Sequence, residues 1–490
     1  MNLKVRTTKT STGNTAVQVV HYANRQTNVI KHLGTAVDEN GIYILKQQAL
    51  AWIQEEQNQA SLFGNKLIDE GKIFNDQYIF KKVQLTFAYE VLENILKKFN
   101  FNTHLNYLLQ NLVIAQILEN GSKRHLVRFL EEQTGIKLNL TRVYEWFPQY
   151  NEGLKDLILK EAINLAKSEF KFNFSFVFYD VTTLYFESFK EYEFQKPGFS
   201  KDNKANQPQI VIGLVVTPEG FPVHYDVFPG NTFEGHTFLK IVKAFKLKHG
   251  IKELTVVADA AMFSKLNFEE LKNENINYIV GARLANQKQN ILDQIETNLK
   301  KEDGNTFKLD ELIVEYSQKR FNKDKSELAK QVARARAQSG KDTTKLKKLK
   351  YLKNTESTFL VDEDLIVKNT RLLGVKGYFT DLNLTNKEII DHYHNLFRIE
   401  HAFRISKSDL EVRPIFHHKE ASIKNHILLC FMALCISIYL ELKTKMSIKE
   451  IVHQLRNVPE IHLESKITGN TIKTRGELST TVKEILAMSY

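Results

Sequence analysis

Apolar and polar residues begin to alternate regularly near residue 172. The sequence FNFSFVFYDVTTLYFES, residues 172–188, predicts a strand with a period of two. Its pattern places on one side Phe172, Phe174, Phe176, Phe178 and Asp180. An acid at the end of an apolar face is costly unless something neutralises it, and a bound metal ion would do so. An Asp at the end of a strand that caps the next turn would give the same pattern.

Two further apolar runs come next, and they predict an antiparallel hairpin. Gln209 to Val216 and Phe221 to Phe228 flank the turn sequence TPEG. A helical pattern from Gly235 to Lys248 then leads to the continuously apolar run Glu253 to Ala258. A continuous apolar strand after a crossover helix is typical of parallel pairing inside a mixed sheet.

Asp259 comes directly after this buried strand. A helical pattern from Asn267 to Asn273 and a strand pattern from Tyr278 to Ala282 complete the series. The order strand, strand, strand, helix, strand, helix, strand is that of the RNase H-like fold. In that fold the first and fourth strands are neighbours, so Asp180 and Asp259 are expected to converge. The predicted fold class is α/β, with an RNase H-like mixed-sheet core.

Changes of pattern divide the chain into six segments. They predict an N-terminal β-hairpin (1–36), a helical DNA-binding region (37–165), the first part of the core (166–284), a basic insertion domain (285–374), the second part of the core (375–445) and a C-terminal tail (446–490). The tail has mixed charge, and its pattern assigns it no role.

Three short helical patterns lie between residues 104 and 150, and each of the first two ends at a turn that contains Gly. Cations expected on their surface are Lys123, Arg124, Arg128 and Arg142. A compact three-helix unit with surface cations suits a helix-turn-helix-like DNA binder. A plain helical bundle would produce the same pattern.

The insertion carries the densest positive charge of the chain. Lys319 to Lys353 contains thirteen Lys or Arg residues against three Asp or Glu residues. Such a run is usually a solvated face. Between the second and third acids of a nuclease-like core, it would also serve as an arm that binds DNA phosphates.

The segment from Asp391 to His418 predicts one amphipathic helix followed by a basic strand or loop. A capping box, Thr385 with Glu388, precedes it. Within the helix Tyr393, Glu400 and Lys407 are spaced seven apart. Seven residues at roughly 100° each turn through about 700°, so the three side chains share one face. A surface helix with polar residues at this spacing is the alternative.

The spacing of Tyr393, Glu400 and Lys407 resembles the Tyr-x6-Glu-x6-Lys signature of DDE-type transposases of bacterial insertion sequences. Three separated motifs carry the resemblance, which extends from about residue 12 to residue 440. The chain departs from the fuller pattern at Leu396, because an Arg is often found three residues after the Tyr. Arg398 and Arg404 lie nearby as substitutes.

This resemblance implies roles for particular residues. Asp180, Asp259 and Glu400 would be the catalytic triad that holds two Mg²⁺ or Mn²⁺ ions, which suits phosphodiester cleavage by in-line attack. Phosphate contacts are expected for Tyr393 and Lys407. The other residues expected to contact DNA are Arg398, Arg404 and Arg413.

Composition agrees with a protein that binds nucleic acid. The chain has 68 Lys and Arg residues against 57 Asp and Glu residues, a formal net charge of +11. A basic surface without a ligand is the alternative.

The only cysteines, Cys430 and Cys435, fit no disulfide framework or zinc spacing and indicate a reducing cytosol. The apolar run Ile427 to Leu440 is too short to span a bilayer, so it predicts a buried core helix.

The function predicted from these patterns is that of a DNA transposase, which cleaves transposon ends and joins them to target DNA. Its partners would be double-stranded DNA with terminal inverted repeats, target DNA and a second copy of the chain in a homodimer on DNA, without a membrane. A cytoplasmic, nucleoid-associated location in a bacterium is expected. A structure-selective nuclease on the same fold is one alternative. A non-catalytic DNA-binding regulator derived from a transposase is the other.

Overall fold

The computed structural model describes residues 3–11, 13–23, 26–59, 77–198, 206–260, 265–340, 349–354 and 358–490. The chain forms two compact units. One unit contains the described residues up to Lys82 together with His462–Lys473. The other contains Val83–Ile461 and Thr474–Tyr490, and the predicted core lies within it.

Strands and helices are numbered here in chain order. The strands are β1 Leu3–Lys9, β2 Thr15–Ala23, β3 Gln26–Ala36, β4 Tyr78–Gln84, β5 Phe176–Tyr185, β6 Gln209–Val216, β7 Pro222–Pro229, β8 Leu254–Ala258, β9 Ile276–Ala282, β10 Thr306–Leu309, β11 Leu312–Tyr316, β12 Leu352–Asn354, β13 Phe359–Val361, β14 Val375–Thr380, β15 Glu460–Ser465 and β16 Thr471–Arg475. The α-helices are α1 Glu39–Gln59, α2 Thr86–Lys98, α3 Tyr107–Leu118, α4 Lys123–Thr134, α5 Leu140–Trp146, α6 Glu152–Phe170, α7 Glu234–Lys248, α8 Lys265–Asn273, α9 Gln289–Asn298, α10 Gln318–Gln338, α11 Glu363–Arg371, α12 Asn386–His394, α13 Phe397–Arg404, α14 Glu420–Thr444, α15 Ile448–Arg456 and α16 Thr480–Met488.

An eight-stranded mixed sheet forms the core, in the order β10-β11-β14-β9-β8-β5-β6-β7. Its strands β5, β6 and β7 pair antiparallel, whereas β8 pairs in parallel with β5 and β9 in parallel with β8. The helices α7 and α8 connect β7 to β8 and β8 to β9. This is the RNase H-like arrangement that the sequence predicts, with the first and fourth core strands as neighbours.

The first core strand is shorter than its alternation predicts. It begins at Phe176, so Phe172 and Phe174 lie before it, not on its face. Phe174 has a φ of 66°, which an extended strand does not allow. The reason is the turn after α6, where Lys171 also has a positive φ of 55° as the helix cap. The rings of Phe172 and Phe174 pack on each other within this turn, 4.8 Å apart.

The segment 285–374 contributes to the core sheet as well as interrupting its sequence. Its hairpin β10–β11 adds to β14, which pairs antiparallel with β9. The remainder includes the basic helix α10 and the small pair β12–β13. The sequence prediction of a separate insertion therefore missed two strands that extend the sheet.

The long helix α14 lies inside the larger unit. It is longer than the predicted run, and all of its residues from Ile427 to Leu440 are buried. By length and composition this helix could cross a membrane, but 78% of its most apolar window is buried in the protein. Its neighbours include α3 and β7. The interpretation of this run as a core helix is confirmed.

Lys123 is an exception among the cations predicted on the surface of the helical region. Arg124, Arg128 and Arg142 are exposed, but Lys123 is only 5% exposed. Its Nζ donates a hydrogen bond of 2.9 Å to Gln116 Oε1. A buried ammonium group needs such a partner, and the sequence alone does not show that Gln116 supplies it.

The smaller unit contains a three-stranded sheet, not a two-stranded hairpin. The strand β1 pairs with β2, which also pairs with β3. Helix α1 covers this sheet, and a small apolar cluster fills the space between them: Val17, Val19, Ala49 and Ile53. Alternation was visible only from residue 15 because β1, LKVRTTK, has few apolar residues.

Candidate active site

Two predicted acids come from neighbouring strands at the centre of the core sheet. Asp180 lies on β5, and Asp259 is the first residue after β8. The two strands run parallel, with Tyr179 opposite Ala258. Asp180 directly follows Tyr179, and Asp259 directly follows Ala258. The two acids therefore occupy matching positions on adjacent strands. Asp180 is half-buried and Asp259 is exposed.

The third predicted acid, Glu400, lies on α13. The capping box that starts the preceding helix α12 is present, since Thr385 Oγ1 accepts from Glu388 N and Glu388 Oε2 accepts from Thr385 N. Helix α13 packs against β5 and β6. Glu400 is exposed at its solvent side.

The prediction of one uninterrupted helix around Glu400 was wrong. Helix α12 ends at His394, α13 begins at Phe397, and residues Ile405–Asp409 form a π-helix. Asn395 donates its side-chain amide to the carbonyl of Asp391, 3.0 Å away, at the break. The π turn contains an extra residue and rotates the residues after it about the helix axis. Position along an ideal helix therefore does not fix where Lys407 lies.

The hydroxyl of Tyr393 contacts one of the three predicted acids. It donates a hydrogen bond of 3.3 Å to Asp259 Oδ1, and Tyr393 is only 6% exposed. Burial raises the pKa of Tyr393 most, and the negative charges of Asp259, Glu400 and Asp180 raise it further. The direct contact of this hydroxyl is with Asp259.

Glycine at position 281 permits this contact. A Cβ at Gly281 would lie 2.6 Å from the Tyr393 hydroxyl oxygen and 3.2 Å from the backbone nitrogen of Ala260. Real Cβ atoms do not approach that closely, so a side chain here would displace the tyrosine from Asp259. The absence of a side chain on β9 thus helps to place Tyr393.

Lys376 is a functional candidate that the sequence did not reveal. Its Nζ lies 4.5 Å from the centre of the Tyr393 ring and 5.3 Å from that of Tyr378. Burial and then the charge of Arg320 lower the pKa of Lys376, and carboxylates that include Asp259 and Glu400 oppose this. The strand β14 has no charge run that singles out this lysine.

The residues predicted to contact DNA lie in different places. Lys407 lines a small cavity beside Thr182 and Leu184, which share the Asp180 face of β5. The guanidinium of Arg413 lies 4.7 Å from the centre of the Tyr185 ring, at the end of β5. Both residues are thus beside the strand that carries Asp180.

Arg398 and Arg404 have other neighbours. Arg398 lies next to the β6–β7 turn, since a Cβ built on Gly220 of that turn would be 3.1 Å from the Cβ of Arg398. Arg404 Nη2 bonds to His401 Nδ1 at 2.8 Å, and His401 Nε2 bonds in turn to Glu441. The contact of both arginines with DNA stays a prediction.

The chemistry of the three acids fits a hard divalent cation. Mg²⁺ and Mn²⁺ prefer oxygen ligands and keep several waters, so a few carboxylates suffice. Among the described residues, however, no three His, Cys, Asp or Glu side chains are arranged as a metal-binding group. The three carboxylates are the type of ligand that these ions prefer, but in this structure they are not arranged as a complete metal-binding group.

Comparison with known proteins identifies the family. A family model described as the transposase DDE domain matches residues 172–436, which is more than half of the chain. One similar solved structure is a piggyBac transposase synaptic complex with hairpin DNA, at 10% identity and a TM-score of 0.37, covering 76% of this chain and 78% of that one. No curated protein matches the chain. The matched segment contains Asp180, Asp259 and Glu400, and the chain belongs to the transposase DDE domain family.

Proposed function

We propose that this transposase cleaves the ends of a transposon and joins them to target DNA with Asp180, Asp259 and Glu400 as its catalytic acids. The observation that supports the assignment is that Asp180 and Asp259 occupy matching positions on adjacent parallel strands, and that Tyr393, on the helix before that of Glu400, donates a hydrogen bond to Asp259. All three acids lie within the segment that the family model matches.

The acids would hold two Mg²⁺ or Mn²⁺ ions. Such ions, when bound, stabilise the attacking and leaving oxygens of an in-line displacement at phosphorus. Tyr393 holds the Asp259 carboxylate through its hydroxyl, and so limits the orientations that carboxylate can take. Lys376 supplies a positive charge on the ring side of Tyr393. This charge suits a phosphate oxygen brought to the acids.

The strand β5 is largely buried, so the DNA would be held by residues beside it. Lys407 and Arg413 lie there and would contact phosphates next to the cleaved bond. The net charge of +11 favours association with duplex DNA. The DNA partners proposed are terminal inverted repeats of a bacterial insertion sequence and a target duplex, bound by a homodimer.

Binding of Mn²⁺ tests the assignment of the acids. We expect Mn²⁺ at a hundredfold excess over its Kd to stabilise the wild-type protein by about 2.7 kcal/mol. Asp180→Asn should lose most of this stabilisation, because one ligand charge is removed. Asp391→Asn, an exposed acid on α12, is the matched control and should keep it. The measurement is thermal unfolding with and without Mn²⁺, and equal stabilisation of all three proteins would contradict the assignment.

A further inference from the structure

A cavity of about 500 Å³ lies on the larger unit, apart from the acids. It is enclosed by the start of α4, by α5, by the loop after the π-helix and by the start of α14. Among the side chains that line it are Ser122, Lys123, Tyr144, Phe416, Lys419 and Ser422. This volume is in the range of small-molecule sites and is larger than a single phosphate ion needs.

Two helix N-termini converge on this cavity. Ser122 is the N-cap residue of α4, and Lys419 is the N-cap residue of α14. Ser122 accepts a hydrogen bond from His125 N, but α14 has no side-chain cap. The first N–H groups of this 25-residue helix therefore lack the partner that a capping side chain supplies. Helix N-termini carry partial positive charge and bind anions.

An unpartnered hydroxyl inside the cavity points independently to a ligand. Ser422, in the first turn of α14, is 5% exposed and lines the cavity. Within the part of the chain that the structure describes, its side chain makes no hydrogen bond. This hydroxyl is therefore available to donate a hydrogen bond to a ligand in the cavity. An anion held by the N–H groups of the same turn would supply an acceptor.

The charged groups around the cavity are mostly basic. Lys419 is exposed at its edge, and Lys123 is buried in its wall, where burial lowers the pKa of Lys123 to about 8. His417 and His418 also line it, and burial followed by the charge of Lys123 lowers the pKa of His417 to about 4. Glu411 is the acid among the lining residues. Glu420, in the first turn of α14, is a further acid nearby and pairs with Lys424 Nζ at 2.7 Å. The lysines that line the cavity suit a negative ligand.

Exposed aromatic rings at the cavity favour a nucleotide over an inorganic ion. Phe416 is 63% exposed and Tyr144 is 50% exposed. Aromatic rings beside cations are the usual combination at sites that bind unpaired nucleotides, because each base has a face that stacks. The ring of His417 is already stacked on Phe147, with centres 4.5 Å apart. Phe416 and Tyr144 have no such stacking partner among the described residues.

We infer that this cavity binds a nucleotide of a DNA strand, with its phosphate at the start of α14 and its base or sugar against Phe416 and Tyr144. The inference rests on the proposed function for the choice of DNA as the source of the phosphate. Gln116 bonds both Lys123, in the cavity wall, and the carbonyl of Leu410, the residue after the π-helix.

Charge reversal at the cavity tests the inference in the full-length protein. Lys419→Glu puts a negative charge at the open end of α14, and Phe416→Ala removes an exposed ring. Lys160→Glu, an exposed lysine of α6 that does not line the cavity, is the matched control. Fluorescence anisotropy measures the Kd for a duplex with a single-stranded tail across a range of salt concentrations.

We expect Lys419→Glu to raise the Kd roughly tenfold, the scale of one charge-assisted hydrogen bond. The log–log salt slope should fall by about 0.7 to 0.9 for the lost contact. Phe416→Ala should weaken binding of the tailed duplex more than binding of a blunt duplex. If Lys419→Glu weakens binding no more than Lys160→Glu, the inference is overturned.

A second arm uses inorganic phosphate, with thermal unfolding as the readout. Phosphate should stabilise the wild type and the Lys160→Glu protein, but not the Lys419→Glu protein. If phosphate has this effect while the DNA affinity is unchanged by Lys419→Glu, the cavity is a free-anion site and the nucleotide assignment falls. If the wild type binds no DNA at all, the proposed function fails, whereas the phosphate arm still decides whether the anion site exists.

Discussion

At the scale of single residues, a lysine of β14, outside the helical motif, lies next to Tyr393. Relatives with the fuller signature often have an Arg where this chain has Leu396, and Leu396 is buried. Lys376 on β14 places its Nζ over the Tyr393 ring instead, within range of the charges of Asp259 and Glu400. A cation contributed by a strand thus lies beside the tyrosine of the helical motif.

Replacement of Lys376 tests this role. Lys376→Met keeps the length of the side chain and removes its charge, so we expect strand cleavage to slow roughly 10²-fold, as when one electrostatic group is lost from a transition state. The fold should persist, because the apolar stem still packs on the two tyrosine rings. Single-turnover nicking of labelled DNA with Mn²⁺ measures the effect, and Lys376→Arg should recover part of the rate. Equal rates for wild type and Lys376→Met would exclude the role.

The sequence could identify the acids but not the side chains that hold them. Asp180 was visible because it ends an apolar face, and Asp259 because it follows an apolar strand. Lys376 was not, since its neighbours Tyr378 and Tyr393 are brought together by the sheet and not by sequence spacing. The burial of Lys123 was missed for the same reason, because its partner Gln116 comes from the preceding helix.

At the scale of elements, periodicity predicted the regular segments well and their irregularities poorly. The bounds of β6, β7 and β8 differ from the predicted runs by one residue at most. The hydrophobic periodicity did not show where the backbone conformation changes while the pattern continues, as at the turn before β5 and at the π-helix after α13.

The basic helix α10 carries a prediction at this scale. Three of its exposed cations are Lys319, Lys323 and Lys330. Their joint replacement by Gln should weaken binding of all duplex sequences alike and reduce the log–log salt slope by up to about 0.9 per lost contact. Other cations of the predicted arm, Lys345, Lys347 and Lys348, lie outside the described residues.

A matched triple variant controls for the loss of net charge. It replaces three exposed lysines of other helices: Lys97, Lys160 and Lys483. Binding isotherms at several salt concentrations compare the two triple variants with the wild type. If both triple variants had the wild-type salt slope, α10 would be a solvated face and the prediction of an arm that binds DNA would be wrong.

At the scale of the whole molecule, the order of elements along the chain was enough to predict the core topology. Short crossovers and right-handed connections leave few ways to arrange these strands, and β5 and β8 are indeed neighbours. The place of the inserted hairpin was not predictable in this way. A hairpin can add to any free sheet edge or stand alone, and only its contacts with β14 decide between these arrangements.

The central claim is that Glu400 is a catalytic acid of a DNA transposase, and Glu400→Gln tests it most directly. This change keeps the size of an exposed side chain, so stability should change by less than about 0.5 kcal/mol. Binding of a terminal-repeat duplex should persist, while nicking and joining with Mg²⁺ or Mn²⁺ should fall by several orders of magnitude, because a metal ligand is lost. The measurement is nicking of a labelled terminal-repeat duplex by wild type and mutant side by side. Equal cutting by both proteins would show that Glu400 is not the third acid, and binding without cutting by either would show a regulator in place of an enzyme.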